Sequence, residues 1–296
     1  MEIREFAEIV AEELRRALKE GYNITIEQVR KNNGHIETGL SVRKEGSNIA
    51  PVIYLKELKE CFEEGKSMDW VTEQLLPIVQ EKSMEKKIDM SSFREFETAR
   101  ERIVYKLVNT KKNEEDLKNR PYVEFFDLAV VFYYLVEEET LENGMIQITN
   151  EHKRLWDVDT SMLLEAADQN SRLLLGTKVM DLKRLLEAEY GMPKEVLDPM
   201  ESGGMKILSN RKGHLGASSI LYPGLLKSVA KMEGCSLYLL PSSIHEFILL
   251  PDRDNQDVSE LEETVSQVNK ENVSEEEFLS NNVYYYDCNE DEIKLL

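Results

Sequence analysis

The sequence predicts an α+β protein with a mainly antiparallel sheet and packed helices, preceded by an N-terminal helix and hairpin unit. Three observations carry this. Short alternating apolar runs come in pairs joined by turn residues, as hairpins require. Single amphipathic helices follow groups of strands instead of alternating with every strand, which argues against repeated βαβ units. The chain, at 296 residues, exceeds one typical domain, and 41% hydrophobic with 32% charged residues is a globular composition able to bury a core.

In the first unit, Ile3, Phe6, Val10, Leu14 and Leu18 recur at three- and four-residue steps, so residues 3–19 form an amphipathic helix stopped by Gly21. Alternating runs at 23–29 and 37–42 flank Lys31-Asn32-Asn33-Gly34. Asn-Gly between such runs predicts a type I′ hairpin, because both central residues of that turn need positive φ. Residues 51–55 then lead into helices over 55–63 and 67–82, broken at Gly65. The polar stretch 83–91 is the expected linker, dividing the chain into units 1–87 and 88–296.

In the larger unit a helix over 93–102 is expected to run into a strand at 103–108, followed by a short charged helix over 114–118 that Pro121 ends. Residues 125–136 are nearly all apolar and rich in strand formers, so they are placed as a central strand buried on both faces, turned by Gly144 into a partner strand at 145–149. Helices are expected over 151–156, 160–174 and 178–190, with Gly176 and Gly191 as stops. Glu201-Ser202-Gly203-Gly204 reads as a turn. Short units follow: a strand at 205–209, a loop at 210–216, a strand at 217–221, and a helix over 223–232 with Pro223 in the first helical position. Strands at 236–240 and 246–250, a helix marked by Val258, Leu261, Val265 and Val268, and a last strand at 282–287 complete the chain.

Charge narrows the partners. The chain has 37 Lys and Arg against 57 Asp and Glu, a net of −20, and no long basic face is visible. A field of that sign repels phosphate backbones and anionic lipid, so neither nucleic acid nor membrane is an expected partner. Half the excess lies in residues 253–296, where 13 acids meet 3 bases, the pattern of a solvated helix face. Cys61, Cys235 and Cys288 are odd in number and far apart, which suits a reducing cytoplasm better than a disulfide framework. There is no signal-peptide pattern and no long apolar run, so a cytoplasmic protein is expected.

The stretch Pro241-Ser242-Ser243-Ile244-His245-Glu246 raises the question of a hydrolase. Such chemistry needs a serine oxygen within hydrogen-bond reach of an imidazole that a carboxylate orients through its other nitrogen. In an extended segment the Ser243 and His245 side chains share a face with Cβ atoms about 6–7 Å apart, and Glu246 points the other way. A turn relaxes this geometry, so Ser243, His245 and Glu246 stay as catalytic candidates. The competing reading makes Pro241-Ser242-Ser243 a turn whose hydroxyls bond local backbone, with His245 and Glu246 opening the returning strand. No G-x-S-x-G elbow is present.

Binding candidates lie in two polar loops. Asn210-Arg211-Lys212-Gly213-His214-Leu215-Gly216 is the most basic loop, with glycines that allow amides to face an anion, yet it matches no phosphate-binding fingerprint. Asn109-Thr110-Lys111-Lys112-Asn113 is either a helix cap or a polar patch for a partner. Asn109, Asn113, Asn210, Arg211 and His214 are therefore the binding candidates. His35, His152, His214 and His245 are isolated in sequence, so no metal and no cofactor are expected. Asp252-Arg253-Asp254-Asn255-Gln256-Asp257 with Glu263 imitates a calcium loop, but Asp257 stands where that loop needs glycine, and it reads instead as an acidic helix start. Trp70 and Trp156 fall on apolar helical faces, as core residues do. Tyr284-Tyr285-Tyr286 alternates as a strand and is expected to leave one ring outward.

Several of these pieces together resemble a known family. Lys31-Asn32-Asn33-Gly34, the stretch from Asn48 through Pro51 to Tyr54-Leu55, Leu107-Val108-Asn109-Thr110-Lys111-Lys112-Asn113, Pro121-Tyr122-Val123-Glu124-Phe125-Phe126-Asp127-Leu128, Leu208-Ser209-Asn210 with Gly216-Ala217, and Leu240 through Glu246 are similar to the bacterial family catalogued as domain of unknown function 5688. From Asp127 onward there is a fainter similarity to a second uncharacterised family, domain of unknown function 1444. The resemblance implies a bacterial cytosolic protein and assigns no catalytic residue. The expectation from the residues themselves is a non-catalytic module binding a protein or a small ligand. The alternative is a hydrolase using His245 with Ser243 or Glu246.

Overall fold

Two hydrophobic clusters, one per half of the chain, organise the computed structural model, which describes residues 1–18, 20–48, 50–82, 89–136, 144–197, 204–253 and 256–296. The chain divides into Met1–Met90 and Ser91–Leu296. Of the expected linker, 83–88 lie outside the described residues, as do 201–203 of the expected turn.

In the first unit, helix α1 (Ile3–Ala17) turns Phe6, Val10 and Leu14 inward. Strands β1 (Tyr22–Arg30) and β2 (Ile36–Lys44) pair antiparallel from Tyr22↔Lys44 to Arg30↔Ile36. The hairpin loop takes five residues, not two, yet Asn33 (φ 59°) and Gly34 (φ 73°) both adopt the left-handed conformation that Asn-Gly favours. Residues expected only as a lead-in form a third strand, β3 (Val52–Tyr54), which pairs with β2. Gly39 lets this strand approach closely: a Cβ there would lie 2.6 Å from the Val52 side chain and 2.8 Å from the Ile53 carbonyl. Helices α2 (Lys56–Glu63) and α3 (Met68–Lys82) follow as expected, and α3 adds Val71, Leu75 and Val79 to the core. Trp70 packs against the same cluster.

In the second unit the helix expected over 93–102 is two short helices, α4 (Ser91–Arg94) and α5 (Phe96–Ala99), and a 3₁₀ turn. Strand β4 (Ile103–Asn109) leads through α6 (Glu114–Leu117) to β5 (Tyr122–Phe125) and β6 (Leu128–Leu135). The single strand expected over 125–136 thus begins in a hairpin, because Phe126 turns the chain at φ 56°. Its central place holds: β6 lies between β4 and β5, also pairs with β7 (Met145–Gln147), and puts Val130 and Phe132 on one face, Ala129 and Val131 on the other.

Helices α7 (Asn150–Leu155) and α8 (Thr160–Leu175) come next. Gly176 ends α8 at φ 70°. The helix expected over 178–190 is corrected: Lys178–Asp181 is a strand, β8, and only Leu182–Tyr190 is helical, as α9. The reason is a cap. The Asp181 side chain accepts the N–H groups of Lys183 and Arg184, starting α9 there, while the preceding four residues pair with β9 (Lys206–Ser209). A short helix, α10 (Lys194–Leu197), lies between and had no clear sequence signal.

The strand expected at 217–221 is also corrected, to a buried 3₁₀ turn over Gly216–Leu221. Helix α11 (Leu225–Glu233) begins after Gly224, so Pro223 precedes its first turn instead of occupying it. Strands β10 (Leu237–Ser243) and β11 (Glu246–Pro251) form the predicted hairpin, followed by α12 (Val258–Asn272), β12 (Tyr284–Asp287) and an unanticipated edge strand, β13 (Glu292–Leu295). The larger sheet runs β13-β12-β10-β11-β9-β8, every pair antiparallel.

Period-two alternation sorts its side chains. Leu237, Leu239, Phe247, Leu249, Tyr284 and Tyr286 enter one cluster with Tyr105, Leu107, Val130 and Phe132 of the smaller sheet and with α8 and α11. On the opposite face Tyr238, Leu240 and Leu250 pack with Val258, Leu261 and Val265 of α12. Tyr285, on the face opposite to Tyr284 and Tyr286, packs there against Tyr238. Trp156 packs against the main cluster, and its indole N–H donates to the Phe93 carbonyl at 3.1 Å.

The edge of β4 that does not pair with β6 is met by side chains instead of another strand. Ser171 Oγ accepts the Tyr105 N–H at 3.1 Å, Asn170 Nδ2 donates to the Ile103 carbonyl at 3.1 Å, and Ser218 Oγ donates to the Tyr105 carbonyl at 3.3 Å. An edge covered in this way is not available for pairing with another chain. Phe247→Ala, which removes a fully buried ring from the shared cluster, is expected to lower unfolding free energy by about 3–5 kcal/mol in urea titrations. A loss under about 1 kcal/mol would show that this cluster is not the core of the unit.

Candidate functional site

The 109–113 loop and the β10–β11 turn meet at one segment, residues 277–280 between α12 and β12, in which Leu279 and Ser280 are buried. Three of its carbonyls are met by donors from other elements. The Leu279 carbonyl accepts from Asn109 Nδ2 at 2.9 Å, the Ser280 carbonyl from Asn269 Nδ2 at 2.8 Å, and the Glu277 carbonyl from the Ile244 N–H at 2.9 Å. Asn109 is 8% exposed and Asn113 3%, and both serve the turn between them. Asn109 Oδ1 accepts the Lys112 N–H, and Asn113 Nδ2 donates to the Asn109 carbonyl at 2.8 Å. Beside them the Asp127 carboxylate accepts the Ser280 hydroxyl at 2.7 Å and the Tyr284 hydroxyl. Burial first, and then that carboxylate, push the Tyr284 pKa far up, so the phenol stays protonated.

The second node is built by the 210–216 loop and the β10–β11 turn. Gly216 sits so close to this turn that a Cβ would lie 2.1 Å from Ser209 Oγ, 2.5 Å from the Asn210 nitrogen and 2.7 Å from the His245 carbonyl. Asn210 closes its own loop, donating to the His214 carbonyl at 2.8 Å and accepting the Lys212 N–H at 3.0 Å. Ser209 Oγ donates to the His245 carbonyl at 2.8 Å. His245 Nδ1 accepts the Leu215 N–H at 2.9 Å, which leaves the ring proton on Nε2, 3.4 Å from Glu277 Oε1.

This arrangement bears directly on the catalytic candidates. Ser243 Oγ accepts the backbone N–H of His245 at 3.0 Å, while both imidazole nitrogens face other groups. Ser242 Oγ lies 3.4 Å from Glu246 Oε1. No nitrogen of His245 is aligned to take a proton from Ser243. The structure therefore brings Ser243 and His245 together through backbone and brings in Glu277, which the sequence did not single out. The His214 and His245 rings lie 5.1 Å apart.

An open groove of about 520 Å³ flanks the same loop, lined by Asp168, Arg172, Gly176, Thr177, Arg211 and Pro223, among others. Arg211 lies across Gly176, where a Cβ would fall 2.7 Å from its Cδ. Arg172 Nη1 donates to the Pro223 carbonyl at 3.2 Å, and Thr177 Oγ1 is buried without a hydrogen-bond partner. Burial raises the Asp168 pKa, opposed by the nearby Tyr105 hydroxyl. Of these residues the sequence marked only Arg211. Arg172 and Asp168 sit on an ordinary amphipathic helix, where their charges read as a solvated face.

Among the described residues no three His, Cys, Asp or Glu side chains assemble as a metal site. In the calcium-like stretch Asp254 and Asn255 lie outside the described residues, and Asp257 caps α12 by accepting the Ser259 N–H at 2.9 Å. Among the described residues no helix is long and apolar enough to cross a membrane.

The fold and these loops define an α+β protein whose polar loop residues shape backbone around the segment that holds buried Leu279 and Ser280. The chain belongs to a family of unknown function, DUF5688, whose model matches residues 3–288. No curated protein and no solved structure matches it.

Two expectations follow. His245→Ala strips the acceptor from the Leu215 N–H and is expected to cost about 1–3 kcal/mol, whereas His245→Asn, which can restore an acceptor, costs less. Equal losses in chemical denaturation would show that the imidazole acts by bulk alone. His214 has its pKa lowered from 6.5 by burial, then by the His245 and Lys106 charges, with Glu277 opposing. The unfolded chain then takes up a proton more readily, so stability is expected to fall as pH drops through 6.5 towards the lowered folded value, and His214→Gln should flatten that slope. An unchanged slope in the variant would sink this assignment.

Proposed function

We propose that the chain is a non-catalytic binding module whose ligand is a small molecule carrying an anionic group, seated in the groove between Arg172 and Arg211. The observation that carries this reading is the pair of guanidinium groups lining one open groove of about 520 Å³, in a chain whose net charge is −20. A cationic spot on an acidic surface selects anionic ligands locally while the overall field excludes large polyanions. Arginine supplies planar, forked donors that match carboxylate and phosphate oxygens.

The non-catalytic half of the proposal rests on His245. Its Nδ1 is held by backbone and its Nε2 faces Glu277, so a hydrolase of the serine–histidine type would first have to dismantle the loop. A reducing cytoplasm suits the three free cysteines.

Thermal-shift and calorimetric titration with small carboxylates and phosphoesters is the direct test. At least one such compound is expected to raise the melting temperature of the wild-type chain, and Arg172→Gln combined with Arg211→Gln is expected to weaken its binding about tenfold or more without changing the fold. Turnover of chromogenic esters that disappears in His245→Asn would overturn the reading in favour of the hydrolase.

A further inference from the structure

The side of α8 that lines the groove carries an acid as well as an arginine, and the charges there stand in a row. Asp168, Arg172 and Gly176 are four residues apart, so they stack on one side of the helix at steps of about 6 Å along its axis. Gly176 has no side chain, and Arg211 takes the place one would occupy: a Cβ there would fall 2.7 Å from Arg211 Cδ and 3.1 Å from its Nε. The Arg211 N–H donates to the Leu175 carbonyl at 3.0 Å, which fixes the residue against the end of α8. One groove of about 520 Å³ is thus lined by a carboxylate and two guanidinium groups in order.

Asp168 is the member for which an anionic ligand alone gives no role. An aspartate four residues before an arginine on a helix is well placed to pair with it. Here Arg172 Nη1 turns instead to the Pro223 carbonyl, and among the described residues the Asp168 carboxylate has no ion-pair partner. Burial pushes its pKa up and only the Tyr105 hydroxyl opposes. That hydroxyl belongs to a residue 1% exposed and approaches Asp168 without closing a hydrogen bond. A half-buried carboxylate with neither a cation nor a close donor carries an uncompensated desolvation cost. Asp168 borders an open groove, so a ligand can supply the cation.

Resting on the reading of this groove as an anion site, we propose that its ligand is a small zwitterion of the amino-acid type, with the ammonium on Asp168 and the carboxylate on Arg172 and Arg211. The order of charges along α8 sets the orientation, with the ammonium towards the middle of the helix and the carboxylate towards its C-terminal end. It also sets selectivity. A dicarboxylate brings a second negative charge against Asp168, and a diamine brings a second cation against the arginines. An ammonium offers three charged donors to the carboxylate, whereas a hydroxyl offers one neutral donor.

The test compares ligands that differ only in the amino group: acetate with glycine, propionate with β-alanine, and butyrate with 4-aminobutyrate, by ligand-observed NMR and calorimetry on the full chain. At least one amino acid is expected to bind about tenfold or more tighter than its parent acid, the scale of a charge-assisted hydrogen bond. Asp168→Asn is expected to remove that advantage while leaving the parent acid bound as well or slightly better, because the negative charge beside the arginines is gone. Asp168→Asn keeps the shape of the side chain and relieves an uncompensated charge, so it should melt within a few degrees of wild type. The comparison on the wild-type chain needs no variant at all. Parent acids that bind as tightly as their amino acids would overturn this proposal and leave the anion groove standing, whereas binding of neither would overturn both. An amino-acid advantage that persists in Asp168→Asn would place the ammonium elsewhere and overturn the assignment.

Discussion

A backbone segment buried in a loop must find a hydrogen-bond partner for every N–H and carbonyl it carries, and the larger unit is arranged around one such segment. Leu279 and Ser280 are each 1% exposed and belong to no strand or helix. Their carbonyls cannot be served by a ladder, so they draw in carboxamides from β4 and α12, while the β10–β11 turn meets Glu277. That demand brings the end of β4, α12 and the β10–β11 turn, distant in sequence, to one place. It also explains why Asp127, Ser280 and Tyr284 form a closed set, since a half-buried carboxylate needs donors close at hand.

The same demand decides which chemistry is open to these residues. Two serines, a histidine and a glutamate lie in the turn and Glu277 faces it, yet Ser243 accepts from backbone and His245 is held by backbone. Catalysis needs an imidazole nitrogen free to exchange a proton with substrate. Here the ring is a structural acceptor whose orientation is set by Leu215, and Leu215 itself adopts φ 56° beside Gly216. Arg172 and Arg211 by contrast stand exposed on long stems, the stem of Arg211 packing beside Gly176. Gly176 illustrates the coupling: it ends α8 and, having no side chain, lets Arg211 lie across it.

Much of the fold was legible because it depends on local pattern. The amphipathic first helix, the Asn33-Gly34 hairpin, the central apolar strand and the β10–β11 hairpin all carry periodicities that only one element satisfies. The errors fall where two signals compete. Val179, Leu182 and Leu186 fit a helical period, but the Asp181 cap and pairing with β9 make the first four residues a strand. Gly216-Ala217-Ser218-Ser219-Ile220 reads as an apolar strand but lies as a 3₁₀ turn, because its serine is needed to cap the backbone of β4. At the site, Asn109, Asn210 and His245 were visible as polar interruptions in apolar runs. Glu277 and Arg172 were not, since nothing local separates a charge that faces a partner from one that faces water.

By itself the sequence determined the class of fold, the acidic surface, the positions of the hairpins and the membership of the polar loops in one signature, all of which follow from periodicity, charge count and the conformational freedom of Asn and Gly. Only the tertiary structure decided what those polar residues are for. Hydrogen bonds depend on distances between residues as far apart in sequence as Asn109 and Leu279, which no local pattern of residue types encodes.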